Sequence, residues 1–293
     1  MRRTTSRRQL ARNPRFEQIS PEVGELDEAA VEAALGDEPD EVLSLLADLT
    51  GATDRRLRDM AGRLAARLFL DLARRGPARR GGVGRLATQP YRPDGGDLDV
   101  DSSLEAIAEA EAGGTAVDVE RLRVRSWTTP QTAICLVVDR SGSMGGRPLA
   151  TAAIAAAAVA LRSPASYSVL AFGKDVVTIK SHDTAKPAER VVADLLALRG
   201  HGTTDLAGAL RAAGEQLGRS RASRKITLLL SDCRSTVDGD ALGAAAALSE
   251  LAVIAPRDDC DAAVIFTREC GARLALVGGP SGIVAAMTAA LER

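Results

Sequence analysis

Ala133-Ile134-Cys135-Leu136-Val137-Val138-Asp139-Arg140-Ser141-Gly142-Ser143-Met144 is the stretch on which the reading of this chain turns. The continuous apolar run Ala133 to Val138 has the composition of a strand whose two faces are both covered by helices. The polar run behind it sets three oxygen side chains, Asp139, Ser141 and Ser143, at alternate positions of a turn that leads into a helix. Strand, polar turn and helix form the repeating unit of a parallel sheet.

The same alternation continues toward the C-terminus. Further strands are predicted at Tyr167 to Phe172, Val176 to Lys180, Ile226 to Leu230, Leu251 to Ala255 and Arg273 to Val277. Helical patterns fall at Pro148 to Leu161, Pro187 to Leu198, Leu206 to Leu217, Asp240 to Leu248, Asp258 to Cys270 and Ser281 to Leu291. The expected class is α/β, with a doubly wound, mainly parallel, Rossmann-like sheet. In such sheets ligands bind beyond the carboxyl ends of the strands. Two more polar groups follow elements there: Gly200-His201-Gly202-Thr203-Thr204-Asp205, and Ser231-Asp232 directly after the run ITLLL.

Toward the N-terminus the pattern changes. Apolar residues recur at helical spacing through Val31, Ala34 and Leu35, then Val42, Leu45 and Leu46, then Leu57, Met60, Leu64, Leu68 and Leu72, so a small all-helical region is expected ahead of the sheet. The segment GPARRGGVGRLATQPYRPDGG has no period and reads as a linker. Asp97 to Ala112 reads as a helix capped by Asp101, Ser102 or Ser103, and Val117 to Trp127 as an edge strand anchored by Trp127. The resulting organisation is a basic arm and helical region over 1–76, a linker over 77–98, a connecting helix and strand over 99–130, and the main domain over 131–293.

Two carboxylates with three hydroxyls, and no nitrogen or sulfur donor, form a hard all-oxygen set suited to Mg²⁺ or Mn²⁺ and unsuited to zinc. Asp139-x-Ser141-x-Ser143, Thr204 and Asp232 resemble the complete metal-ion-dependent adhesion site of von Willebrand factor A (VWA) domains, over roughly residues 133 to 292. The resemblance implies that Ser141 and Ser143 bind the metal directly, that Asp139 and Asp232 act mainly through water, and that an open position accepts a partner's carboxylate. The family usually has glycine before its threonine; here Thr203 stands there, leaving Thr203 and Thr204 both available for that role. Arg140, Met144, His201, Thr203 and Arg234 flank the set as contacts for a partner.

GGDLDVDSSLEAIAEAEAGG, SDCRST and AVIAPRDD together resemble bacterial CoxE-like proteins, stand-alone VWA proteins encoded with MoxR-type AAA+ ATPases. That resemblance implies a non-catalytic adaptor that helps such an ATPase remodel a client protein presenting Asp or Glu, or mature a metalloenzyme. The chain has no Walker A run, so the motor must be another polypeptide. A magnesium-chelatase-D-like subunit normally carries an AAA+ module where this chain has about 130 residues of different character. A serine hydrolase built on Ser141 or Ser143 would need an oriented base, and His182 and His201 are the only histidines.

Composition narrows the rest. With 38 basic and 39 acidic side chains there is no overall field to draw the molecule onto nucleic acid or a membrane. One Trp, two Tyr and four Phe are too few for base-stacking platforms. The longest apolar stretch, Ala152 to Leu161, is half the length of a membrane span. The first sixteen residues carry arginines without an apolar leader core, so a frayed arm and a cytoplasmic location are expected, with reduced cysteines. Asp97, Asp99 and Asp101 imitate a calcium loop, but Ser102 and Ala108 occupy its glycine and closing-acid positions, which favours helix capping.

Overall fold

The computed structural model describes residues 4–75, 85–91, 96–128, 132–140, 146–198, 200 and 202–291. Two units form: Met1–Ala78 joined with Thr132–Arg293, and Arg79–Gln131. Residues 1–76 and 131–293, separate regions by sequence pattern, thus belong to one unit.

The chain opens with α1 (Arg7–Leu10), α2 (Phe16–Ile19), α3 (Glu28–Asp37), α4 (Pro39–Leu49) and α5 (Arg55–Arg75). From residue 4 onward the basic arm is held, not frayed. Ser6 and Gln9 cap α1 reciprocally, and Arg7 donates to the carbonyls of Ser20 (2.9 Å), Pro21 (3.2 Å) and Glu22 (3.1 Å) while its guanidinium covers the ring of buried Phe16. Asp27 caps α3 through the amides of Ala29 and Ala30, and Pro39 opens α4 where no amide is needed. In α5 the buried stripe is Leu57, Ala61, Leu64, Ala65, Phe69, Leu70 and Ala73, whereas Met60, Leu68 and Leu72 of the expected stripe are only partly buried. Large and small residues mix in this stripe, which packs against a helix, described below, whose buried side chains are mostly alanine.

In the second unit, β1 (Arg85–Pro90) and β2 (Asp97–Leu98) flank the later strand β3 (Arg123–Thr128) antiparallel, and α6 (Val100–Gly113) precedes β3. Residues 77–98, expected as linker, therefore contain two strands, and the strand expected at an edge is the central one. RLATQP carries no apolar alternation, so only its pairing with β3 defines it. The cap of α6 is Asp99, not the residues two to four places later. Its buried carboxylate accepts from Thr88 Oγ1 (2.7 Å), Ser102 Oγ (3.0 Å) and the Ser102 amide, and pairs with Arg125 at 3.2 Å. Its oxygens are committed to protein donors, in keeping with a cap and not a calcium loop. Gly114, at φ +58, closes α6 in the left-handed conformation.

The main sheet follows from β4 (Thr132–Asp139), α7 (Gly146–Arg162), β5 (Tyr167–Phe172), β6 (Val176–Lys180), α8 (Ala188–Leu196), α9 (Leu206–Gly218), β7 (Arg224–Leu230), α10 (Ala241–Ala246), β8 (Leu251–Pro256), α11 (Asp261–Cys270), β9 (Arg273–Val277) and α12 (Ile283–Leu291). Strand order is β6-β5-β4-β7-β8-β9; every pairing is parallel except that of β6 with β5. Side chains alternate with the strand period of two. Ile134, Leu136, Val138, Leu228 and Ile254 join α7, α8, α12 and the N-terminal helices in one core, while Cys135, Val137, Leu229 and Val253 join α9, α10 and α11 in another. This is the doubly wound α/β sheet expected. Helix α7 is buried almost throughout from Leu149 to Ala160, because α4 and α5 cover the side that the sheet does not. No described helix is long and apolar enough to cross a membrane.

Two outcomes follow. Phe69 is fully buried in the core shared with α7, so Phe69→Ala should destabilise the whole unit by about 3–5 kcal/mol in urea unfolding followed by circular dichroism. A loss confined to the N-terminal helices would contradict a shared core. Asp99 is held down to about 2, first by the Thr88 hydroxyl, against its ordinary 3.8. Because the folded value is the lower one, its stabilisation is complete above 3.8 and disappears as pH falls through about 2. Thr88→Val should raise the Asp99 titration seen by carboxyl NMR and move acid unfolding of residues 85–128 to higher pH.

Candidate metal site at the strand ends

Parallel register builds the site. Val138 lies beside Leu230, so the residues that follow, Asp139 and Ser231, leave β4 and β7 side by side. Ser231 Oγ donates to Asp139 Oδ2 at 2.6 Å and accepts from the Cys233 amide at 2.9 Å. Cys233 turns the chain at φ +62, the one non-glycine residue with positive φ among those described. Such a conformation costs roughly 1–3 kcal/mol, which the surrounding hydrogen bonds offset. Just before it, Asp232 Oδ1 accepts from the Arg234 amide at 2.9 Å.

Thr204 reaches the same loop from the other side. Its amide donates to Thr236 Oγ1 at 2.7 Å, and its carbonyl accepts from the Thr236 amide (3.0 Å), the Val237 amide (3.3 Å) and Ser235 Oγ (3.1 Å). The Asp205 amide donates to the Gly173 carbonyl at 2.9 Å, and the Asp205 side chain caps α9 through the Gly208 amide. Thr204 is buried and Thr203 exposed. Residues 231–237 therefore gather Asp139, Asp232 and Thr204, which lie far apart in sequence.

The charges there oppose one another. Burial, followed by the negative charges of Asp139 and Asp259, pushes Asp232 above the ordinary carboxylate value, against the opposing pull of the Arg234 amide and guanidinium. Burial first, and then the charges of Asp232 and Asp139, drive the Cys233 thiol up to about 12; burial does the same to Cys135. Both sulfurs are thus neutral buried side chains near neutral pH.

Of the flanking residues, Arg140 gives its amide to the Phe172 carbonyl at 2.7 Å, and its buried Nε has no hydrogen-bond partner among the described residues. Arg234 is exposed and paired with Asp259. Ser141, Ser143, Met144 and His201 lie outside the described residues. Among the described residues no group of three His, Cys, Asp or Glu could hold a metal. What the described residues bring together is the pair of carboxylates Asp139 and Asp232, oxygen donors of the kind that fit a hard divalent cation. His182 is at the opposite edge of the sheet, against Ser166 at 3.2 Å, with its pKa lowered by burial and by Lys180. Ser231, Ser235 and Thr236 were not singled out by sequence reasoning. The signal was the polar run SDCRST after an apolar strand, but which of its residues bridge to Asp139 and Thr204 is a tertiary fact.

A doubly wound sheet with carboxylates and hydroxyls gathered beyond the ends of its central strands defines a VWA-type domain. The chain belongs to the VWA domain containing CoxE-like protein family, whose model matches residues 60–290. No curated protein matches it. Among solved structures, a von Willebrand factor type A protein from Catenulispora acidiphila is 11% identical with a TM-score of 0.43, over 74% of this chain and 51% of that one. Manganese-loaded TRAP protein from Plasmodium vivax is 17% identical at 0.43, over 54% and 72%. Proximal thread matrix protein 1 from the mussel byssus, with a zinc-occupied MIDAS motif, is 14% identical at 0.42, over 55% and 47%. The chain spans about half the length of the first and third of these.

The site yields two expected outcomes. Ser231→Ala removes a charge-assisted bond to Asp139 and leaves the Cys233 amide without its acceptor, so stability should fall by about 2–4 kcal/mol in denaturant unfolding. Asp232 has a raised folded pKa, so its ionised form opposes folding above that value, and the opposition fades as pH falls. Asp232→Asn should therefore raise the melting temperature in EDTA at pH 7, with the gain vanishing near pH 3 where the wild-type carboxyl is also neutral.

Proposed function

We propose that this chain is a non-catalytic adaptor that binds a client protein through a divalent cation, Mg²⁺ or alternatively Mn²⁺, and works with a MoxR-type AAA+ ATPase in the cytoplasm to remodel that client or mature a metalloenzyme. Asp139, Ser141, Ser143, Thr204 and Asp232 would hold the ion. The observation that carries this reading is the convergence of Asp139, Asp232 and Thr204 on residues 231–237, where two mutually repelling carboxylates sit among hydroxyls. The bound ion supplies an open coordination position for an Asp or Glu of the client. The chain's own residues do the rest: Ser231 orients Asp139, the Arg234 amide orients Asp232, and Thr236 fixes the Thr204 backbone. Arg140, Met144, His201, Thr203 and Arg234 would frame the client's acidic residue.

Family membership supports the ATPase partnership through the CoxE-like resemblance. A serine-hydrolase reading gains no support from His182, which stands at the far edge of the sheet beside Ser166. Affinity capture with the tagged full chain from native extract, in Mg²⁺ or in EDTA, tests the proposal. An AAA+ protein should be retained in Mg²⁺ and lost in EDTA or with Asp139→Ala. Equal retention in all three would sink the metal-dependent reading, and serine-probe labelling abolished by Ser141→Ala would replace it with the hydrolase.

A further inference from the structure

We infer that Asp48, on a helix that lies outside the family match, is a positioning residue for the first turn of α7, the helix that follows Ser141 and Ser143 in sequence. The inference rests on the cation reading above for its functional meaning, and on geometry for the positioning itself. Asp48 Oδ1 accepts from the Gly146 amide at 2.6 Å, across 98 residues of sequence. Gly146 is the first residue of α7 and comes five residues after Ser141 in sequence, so this carboxylate fixes the point at which α7 begins.

The fit at Gly146 is close. Its φ is +49, and a Cβ placed there would stand 3.2 Å from Asp48 Oδ2, so the backbone approaches the carboxylate as only glycine readily permits. A carboxylate at this point also satisfies one of the free amides at the start of α7 and complements the positive end of its dipole.

Asp48 is itself held in place by its own helix. Val42, Leu43, Leu45, Leu46 and Leu49 bury α4 against its neighbours. At the other end of the same helix, Asp40 Oδ1 accepts from the Ser281 amide at 2.7 Å, and Glu41 pairs with Arg147 at 3.5 Å. The N-terminal helical layer thus grips the starts of both α7 and α12. The run just before α12 has the chain's own Asp40 at its Ser281 amide. Asp48 is anchored in a core and acts on backbone at the start of α7, so on the cation reading its influence would reach the ion through the chain that precedes Gly146.

The test uses the full chain with Asp48→Ala, Asp48→Asn, Asp40→Ala and Asp139→Ala. Hydrogen exchange at the start of α7 is measured in EDTA, and Mn²⁺ affinity by electron paramagnetic resonance. Asp48→Ala should speed exchange at Gly146 and weaken Mn²⁺ binding by about tenfold or more, the scale on which outer partners act. Asp48→Asn keeps an acceptor oxygen and should recover part of both, and Asp40→Ala should leave both near wild type. Exchange and affinity of Asp48→Asn and Asp48→Ala both unchanged, while Asp139→Ala abolishes binding, overturns the positioning role and leaves the cation reading intact. If the wild type binds no Mn²⁺, the cation reading fails on its own, and the exchange rate at Gly146 still decides whether Asp48 holds the turn.

Discussion

The buried side chains of α7 are mostly alanine, and α7 governs this structure through the close packing they require. Its side chains are too small to fill space, so its neighbours must come close on every side. The sheet supplies one wall. The other must come from outside the α/β alternation, and α4 and α5 supply it with leucines, a phenylalanine and alanines of their own. The N-terminal helices are therefore part of the same hydrophobic assembly that seats the strands. Because α7 begins at Gly146, packing on its far side bears directly on where that helix starts.

Much of this was open to reading, for reasons that differ by element. Central parallel strands are apolar at every position, so CLVV and ITLLL stand out, and the strands at Tyr167–Phe172, Val176–Lys180 and Arg273–Val277 fall where the pattern puts them. The strand Arg85–Pro90 did not stand out, since its identity comes from hydrogen bonds to β3 and not from any alternation of its own. The cap of α6 was misplaced from Asp99 to later residues because several acidic and hydroxyl side chains crowd the same few positions, and only burial shows which one is enclosed. The stripe on α5 was drawn correctly through Leu57 and Leu64 but continued through Met60, Leu68 and Leu72, whereas the buried face continues through Ala61, Ala65, Phe69, Leu70 and Ala73.

The site shows a similar division. Asp139, Thr204 and Asp232 are visible as polar residues beyond apolar runs, and parallel register does bring the strand ends together. The residues that make the arrangement definite are not visible in that way. Ser231 joins Asp139 to the Cys233 turn, Thr236 and Ser235 receive Thr204, and Asp48 arrives from another region. Each depends on a contact between segments that no local pattern encodes. The electrostatics follow the same logic: a carboxylate made less willing to ionise by burial and by its neighbours is out of place in a scaffold selected only for stability, and makes sense where a positive charge is to be received.

Asp40 and Asp48 also give α4 the character of a gauge block. They stand two helical turns apart, about 12 Å along the axis, and each meets a backbone amide at the threshold of a different helix. Adding or deleting one residue between them would swing one carboxylate about 100° around the axis, so both latches can close only at a single spacing. The separation between two helix starts on the rim is thereby written into the length of a third helix, and evolution can alter either latch by substitution but not the interval by insertion.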